Sequence, residues 1–328
     1  MPEPTLELEG VRKYFEIETG FLAKLLSKSE KFVHAVDDVS FRVMKGETFS
    51  LVGETGSGKT TIAKLVVRLH DPTEGHIYFE GNDVAQLHGE ELKGFRKKVQ
   101  MIFQDPYASL NPRMTVENIV GLPLESQGII NSNERREMVI EIVEQVGLSP
   151  AEQIIDRNPH EFSGGQRQRI GVARALALRP SLIVADEPVS ALDVSVRAQI
   201  LNLMKDIKSQ FGLTYIFVAH DLAVVRYMSD WIMILYQGKQ MELARTEDLF
   251  SAPLHPYTKA LIDAVPSFES RRRKRELRLK GEMASPINIP AGCRFHPRCP
   301  FTLPVCSREE PQTVTKERGH VVSCHLHA

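Results

Sequence analysis

The sequence predicts an α/β fold with a largely parallel core sheet, and three observations lead there. Apolar runs of strand length alternate with helical patterns over roughly the first 250 of 328 residues, the pattern of βαβ units. One run, Phe49 to Val52, ends in a Gly-rich loop that a helical pattern follows at once. Composition is that of an ordinary soluble domain, 42% apolar and 25% charged, enough to build a core without disulfide staples.

The elements read in order as follows. "LELEGVRKYF" is a first strand, and "HAVDDVSFRVMKGETFSLVG" is β-structure leading into the loop. "KTTIAKLVVRL" is helical, "GHIYFEGNDV" a strand and turn, and "KKVQMIFQ" a buried strand. From about residue 105 to 178 the character changes to helices ("NERREMVIEIVEQVGL", "GGQRQRIGVARALAL") and loops with Pro and Asn, which reads as a helical subdomain inserted into the sheet. Strands return with "SLIVADE" and "YIFVAH" around the helical "SVRAQILNLMKDIKSQFG". "DWIMILYQGKQMEL" is a hairpin turning at Gln237-Gly238. A boundary is expected near residue 250. It separates a first domain, 1–250, from an extension, 251–328, with a basic run at Arg271 to Arg275 and then a Pro-rich stretch. The basic run is best read as a solvated linker or helix face.

A formal charge of −1 gives no hint of a nucleic-acid or anionic-membrane partner. No apolar run is long enough to span a bilayer, and no leader is evident at Met1. A cytosolic chain is expected, which weighs against disulfides.

"GETGSGKT", residues 53–60, fits the phosphate-binding loop G-x-x-x-x-G-K-[ST] between a strand and a helix. Gly53, Glu54, Thr55, Gly56, Ser57 and Gly58 would wrap phosphates with backbone N–H groups at a helix N-terminus, with Thr61 just behind. Lys59 supplies a point charge, and the Thr60 hydroxyl can ligate Mg²⁺. In "SLIVADEP" an apolar strand ends in Asp186, placed to hold Mg²⁺ through its waters. Glu187 follows, placed to polarise a water aimed at a γ-phosphate. Acidic residues also end strands for solubility; it is the pairing with the phosphate loop that gives this one meaning. An α/β P-loop NTPase fold is therefore expected, similar to the RecA-like kind.

"FSGGQRQRIGVARAL" narrows the class. Ser163, Gly164, Gly165 and Gln166 open a helix and make a second backbone anion site. One nucleotide does not need two such sites from one face of one chain; two chains, each giving one site to a sandwiched γ-phosphate, account for both. The motif resembles the signature of the ATP-binding cassette (ABC) family, with Phe162 in place of the usual leading Leu. The resemblance spans residues 5–250 and implies an ABC nucleotide-binding domain, an ATPase using ATP and Mg²⁺. It implies further roles. Gln104 is the glutamine that touches Mg²⁺ or the attacking water. Ser190 to Asp193, "SALD", is the loop crossing the dimer interface. His220 is the switch histidine that bonds the γ-phosphate and holds Glu187. Phe15 is the aromatic that stacks on adenine, with Tyr14 as runner-up.

The tail carries a second resemblance. "SAPLHPYTKALIDAVP" and "PAGCRFHPRCPFTLPVC" resemble the ATPases of oligopeptide, dipeptide and nickel uptake systems. This implies an ATPase subunit on the cytoplasmic face of the membrane. Its partners would be a second, like or unlike, ATPase, two permease subunits and, indirectly, a substrate-binding protein. Oligosaccharide or nickel import is the nearest alternative. A DNA-repair type ABC ATPase is the alternative of another class, and a lone soluble ATPase a third. All four cysteines, Cys293, Cys299, Cys306 and Cys324, lie here, with five, six and seventeen residues between them. They lack the paired C-x₂₋₄-C knuckles of structural zinc, whereas iron–sulfur clusters accept varied spacings. Relatives with this tail bind a [4Fe–4S] cluster, so the resemblance points the same way. Zinc, aided by His296, His320, His325 or His327, and free thiols stay open.

Overall fold

The computed structural model describes residues 3–17, 32–129, 131–265, 285 and 287–327. The basic run Arg271 to Arg275 lies outside the described residues.

Two sheets form the frame. The larger has eight strands in the order β11-β12-β10-β9-β3-β8-β7-β6. Its central strands are β3 (Thr48–Val52), β6 (Val99–Ile102), β7 (Leu182–Asp186), β8 (Thr214–Ala219) and β9 (Trp231–Tyr236). These five run parallel, β9 against β3, β3 against β8, β8 against β7 and β7 against β6. Buried on both faces, they read as continuous apolar runs rather than alternating ones. The strand β7 shows both faces at work: Leu182 and Val184 enter one core cluster, Ile183 and Ala185 the other, as period-two geometry requires.

The remaining strands extend the edge or stand apart. β10 (Lys239–Arg245) folds back on β9 through Gln237-Gly238. Both loop residues have positive φ, 46° and 79°, the primed geometry that matches strand twist. β11 (Thr313–Thr315) and β12 (Val321–Ser323) then pair antiparallel, β12 on β10, so the cysteine-bearing segment adds to the same sheet. The strands β1 (Leu6–Glu16), β2 (Phe32–Val43), β4 (Glu74–Phe79) and β5 (Asn82–Asp83) form a separate antiparallel sheet in the order β2-β1-β4-β5.

Between β6 and β7 the chain is helical. The helices Val116–Ser126, Ser132–Gln145 and Gly164–Leu176 pack around Ile119, Val120, Val139, Val143 and Ile170, all buried. Polar stitching closes this bundle: Arg136 reaches both Glu117 and Asp156. Among the described residues no helix is long and apolar enough to cross a membrane.

Candidate active site

Adjacent parallel strands end side by side, and ligand sites in such sheets lie beyond those carboxyl ends. The phosphate loop leaves β3, Gln104 follows β6, Asp186 closes β7 with Glu187 next, and His220 follows β8. A cavity of about 480 Å³ opens over these ends. Its lining includes Phe15, Thr55, Gly56, Gly58, Lys59, Thr60, Thr61, Gln104, Glu187 and His220, together with Val33 and Ala35.

Backbone demands explain the loop's glycines. Gly58 has φ 102°, and a Cβ there would stand 2.3 Å from the Ala35 carbonyl oxygen. A Cβ on Gly53 would stand 2.2 Å from the Leu235 carbonyl oxygen. Only glycine fits either place. Lys59 opens the helix Lys59–Val66 and is buried. Its ammonium donates to the carbonyls of Gly53 and Glu54 at 2.7 and 2.9 Å. Burial pushes its pKa down, against the pull of Glu187, Asp186 and Glu54. Gly53, Glu54 and Ser57 do not line the cavity. Ser57 is fully buried and Glu54 turns its side chain the other way.

The Thr60 hydroxyl donates to Asp186 Oδ1 at 3.1 Å. Asp186 is buried, and burial followed by the neighbouring Glu187 carboxylate raises its pKa despite Thr60, Lys64 and Lys59. A hydroxyl and a buried, undercompensated carboxylate make a donor set suited to a hard divalent cation. Mg²⁺ therefore fits at Thr60 and Asp186.

Glu187 is held from two sides. Gln104 Nε2 donates to its Oε2 at 3.1 Å, and His220 Nδ1 lies 3.2 Å from the same oxygen. The Glu187 backbone is left-handed, φ 45°, a conformation costing a non-glycine residue about 1–3 kcal/mol. Bonds from Glu187 N to the Val218 carbonyl and from Ser190 to the Glu187 carbonyl maintain it. The Glu187 side chain lines the cavity.

Phe15 and Tyr14 separate cleanly. Phe15 lines the cavity, edge-on to His70 at 5.5 Å. Tyr14 donates its hydroxyl to Asp37 at 2.9 Å instead.

The signature residues are not brought to this cavity. Ser163 and Gln166 bond each other reciprocally and cap the helix Gly164–Leu176. A Cβ on Gly165 would meet Val196 at 2.4 Å, so the signature packs on the helix that begins just after "SALD". Asp193 caps that helix, Val194–Phe211, by accepting from Val196 N at 3.0 Å, and this bond first of all holds its pKa down. Asp193 does not line the cavity either. Phe162 is buried, stacked under Arg157.

Cys293, Cys306 and Cys324 are buried and Cys299 half-buried, all as free thiols. Burial, then the other three cysteines, push Cys293 up to about 11, with an opposing backbone bond from Phe295. Among the described residues no group of three or more His, Cys, Asp or Glu is set closely enough to hold a metal ion. The thiols are the right donors for iron or zinc, and ligation needs thiolates; burial raises the pKa of Cys293, Cys299 and Cys324. The four histidines weighed as zinc ligands each have a ring nitrogen on a protein oxygen. These partners are the Cys293 carbonyl for His296, Glu242 for His320, the Glu309 carbonyl for His325 and the Leu254 carbonyl for His327.

Sequence reading did not foresee three residues that tie this tail to the rest: Glu242, Arg294 and Arg298. Glu242 is fully buried and accepts from His320 Nε2 at 2.6 Å and from the N–H groups of Leu254 and His255 at 2.8 Å. Burial works against its ionisation, but these donors hold its pKa low. Arg294 bonds Asp37 and the Gln237 carbonyl. Arg298 bonds Glu54. A charged residue mid-strand, as Glu242 is, was the one available signal.

Known proteins show the same plan. The ABC transporter family profile matches residues 36–190, and that of the oligopeptide/dipeptide transporter C-terminal region matches 241–306. The oligopeptide transport ATP-binding protein AppF of Bacillus subtilis is 49% identical over 99% of this chain and 98% of its own. A probable peptide ABC transporter ATP-binding protein, y4tS of Sinorhizobium fredii, is 47% identical over 100% and 91%. Among solved structures, the ATP-binding cassette MJ0796, in a dimeric post-hydrolysis state bound to ADP and Pi, superposes with a TM-score of 0.63. It is 31% identical, covering 74% of this chain and 98% of that one. With a phosphate loop, a Mg²⁺-suited pair and a held carboxylate over one cavity, the chain is an ATPase and belongs to the ATP-binding subunits of the ABC transporter family.

Proposed function

We propose that this chain energises import of oligopeptides or dipeptides through a binding-protein-dependent ABC transporter. The observation that carries the catalytic part is Glu187 gripped by both Gln104 and His220 beside Lys59 and Thr60. The names of the relatives and the matched C-terminal region support the peptide part.

In this reading the loop amides and Lys59 bind the β- and γ-phosphates, and Phe15 stacks on adenine. Thr60 and Asp186 hold Mg²⁺, with Gln104 near it; the ion supplies charge neutralisation on the phosphates. Glu187 takes the proton of the attacking water, and His220 and Gln104 keep its carboxylate aimed. Ser163, Gly164, Gly165 and Gln166, with Asp193, act on the nucleotide of a second ATPase chain, which accounts for their distance from this chain's own cavity. Two permease subunits and an external binding protein complete the assembly at the cytoplasmic face of the membrane. Residues 1–250 form the ATPase domain and 251–328 its extension. In the tail, Cys293, Cys299, Cys306 and Cys324 would be the ligands of a [4Fe–4S] cluster that would staple the Pro-rich segment. The resemblance of the tail supports this, and the sulfurs would have to draw closer than they stand here, where among the described residues no three such groups are set to hold a metal. The zinc reading keeps the same four sulfurs.

The test is Glu187→Gln in the assembled transporter. ATP should still bind, while hydrolysis and uptake of a labelled peptide both fall by about a hundredfold or more. Near-normal hydrolysis would remove Glu187 from its role. Hydrolysis in the unmutated transporter that no peptide stimulates would remove the peptide assignment. Anaerobic purification with iron, sulfide and zinc assays decides the tail.

A further inference from the structure

Glu54, second residue of the phosphate loop, meets the C-terminal segment through both backbone and side chain. Its N–H donates to the Tyr257 hydroxyl at 3.0 Å. Its carboxylate receives Arg298 Nη1 at 2.9 and 3.1 Å. Its carbonyl accepts Lys59 Nζ at 2.9 Å. One residue thus joins the phosphate-binding lysine to two residues of the extension. Arg298 is itself fixed, its side chain only 9% exposed. It lies in the turn His296–Arg298 immediately before Cys299, and the same Nη1 lies 3.4 Å from the Tyr236 hydroxyl. The rings of Tyr236, Tyr257 and Phe295 pack mutually at 4.9 to 5.3 Å beneath it.

The charge arrangement has a consequence. A carboxylate in a loop that binds a polyanion repels its ligand unless a cation offsets it, and partial burial lengthens the reach of that repulsion. Among the described residues, Arg298 is the cation paired with the Glu54 carboxylate. We propose that Arg298 is a positioning residue for the phosphate loop: it neutralises Glu54 and, with Tyr257, fixes the loop to receive phosphates, making ATP affinity depend on the cysteine-bearing segment. This builds on the nucleotide-binding reading of the loop above.

The test is equilibrium binding of a fluorescent ATP analogue with Mg²⁺ to the full chain, with thermal melting alongside. Arg298→Ala should weaken binding about fivefold at low salt, and the loss should shrink as salt rises. Arg298→Lys, which keeps the charge, should regain most of it. Added to Glu54→Gln, Arg298→Ala should cost less than about twofold, since the charge to be neutralised is gone. Equal losses in both backgrounds, a lysine variant as weak as the alanine one, or an alanine variant that binds like the unmutated chain would each overturn the proposal. Should the alanine variant not fold, Arg298→Gln decides. It keeps a donor and loses the charge, and unmutated affinity there overturns the proposal equally. If the unmutated chain binds no ATP analogue, or Lys59→Ala binds it equally well, it is the nucleotide reading that fails.

Discussion

The phosphate face and the cysteine-bearing tail share one sheet but are held together by different physics. At the phosphate face, groups far apart in sequence meet because parallel strands end together: Gln104 and Glu187, 83 positions apart, are in hydrogen-bond contact. Apolar strands buried on both faces fix those ends, and the loop's shape is imposed by backbone geometry. The tail sits at the sheet's antiparallel edge on two three-residue strands and 3₁₀ turns. There the anchors are polar side chains: Glu242 hydrogen-bonded to His320, and the ion pairs of Arg294 with Asp37 and Arg298 with Glu54. The fold of the first region should survive changes in charge and fail under changes in backbone, whatever those charges do for its chemistry. The second should do the reverse.

The largest effect expected from that contrast is at Gly58. Gly58→Ala forces a left-handed backbone on alanine and drives its Cβ into the Ala35 carbonyl. The loop must shift, at a cost of about 3 kcal/mol, equivalent to roughly a hundredfold in ATP affinity. A nucleotide titration checks this, and unchanged affinity would mean the loop is pliable. Next is Glu242→Ala, which strands three donors in the tail, those of His255 and His320 buried and that of Leu254 partly so. A loss of about 3 kcal/mol or more is expected. It should be read as a lower melting temperature together with faster alkylation of Cys324 under reducing, metal-free conditions. Catalytic-face residues should keep their own protection in hydrogen exchange.

These two sites also mark what was legible. The Gly58 region could be read because its function demands a fixed order of residue types next to a strand end. "SLIVADE" and "YIFVAH" carried the same information, as did the Gln237-Gly238 turn. Glu242 was visible only as part of an alternating strand. Alternation says that a segment is a strand, not which strand it joins, and so β1, β2 and β4 gave no sign of forming their own antiparallel sheet. The Arg298–Glu54 contact spans 244 positions and follows no period. The cysteines could be counted, but sequence carries no information on how deeply the fold buries each of them.

Acid should separate the regions further. His255, buried, caps the helix Pro256–Asp263 by accepting at Nδ1 from the Tyr257 N–H at 3.0 Å. Burial pushes its pKa down to about 4, against Glu242 and with His327 and Lys259. The unfolded chain takes up that proton near pH 6.5, the folded chain only near 4. The stabilisation is complete above about pH 6.5 and is lost as pH falls towards 4, at roughly 1.4 kcal/mol per unit. Glu242, its pKa held below the ordinary glutamate value, contributes in the same direction at the acid end. Thermal melts between pH 7 and 4.5 should therefore show the tail loosening first, judged by thiol reactivity. His255→Asn, a cap that does not titrate, should flatten the upper part of that dependence.

The smallest and sharpest comparison lies within one dipeptide. Tyr14 and Phe15 are neighbours on β1, and successive side chains on a strand point to opposite faces. Phe15 lines the nucleotide cavity. Tyr14 gives its hydroxyl to Asp37, the carboxylate that also anchors Arg294 of the tail. Its hydroxyl pKa is raised to about 12, by burial first and then by that carboxylate. Phe15→Ala should raise the KM for ATP about fivefold, at the low end of what a base-stacking aromatic contributes, and leave the tail's thiol reactivity unchanged. Tyr14→Phe should leave the KM unchanged and lower stability by about 1 kcal/mol, a single hydrogen bond to a charged acceptor that stays well partnered by arginine. If Tyr14→Phe raised the KM and Phe15→Ala did not, the aromatic roles would have to be exchanged. If both variants moved both readouts together, the two regions would respond as one unit, and the contrast between backbone-built and charge-built anchoring would not hold at β1.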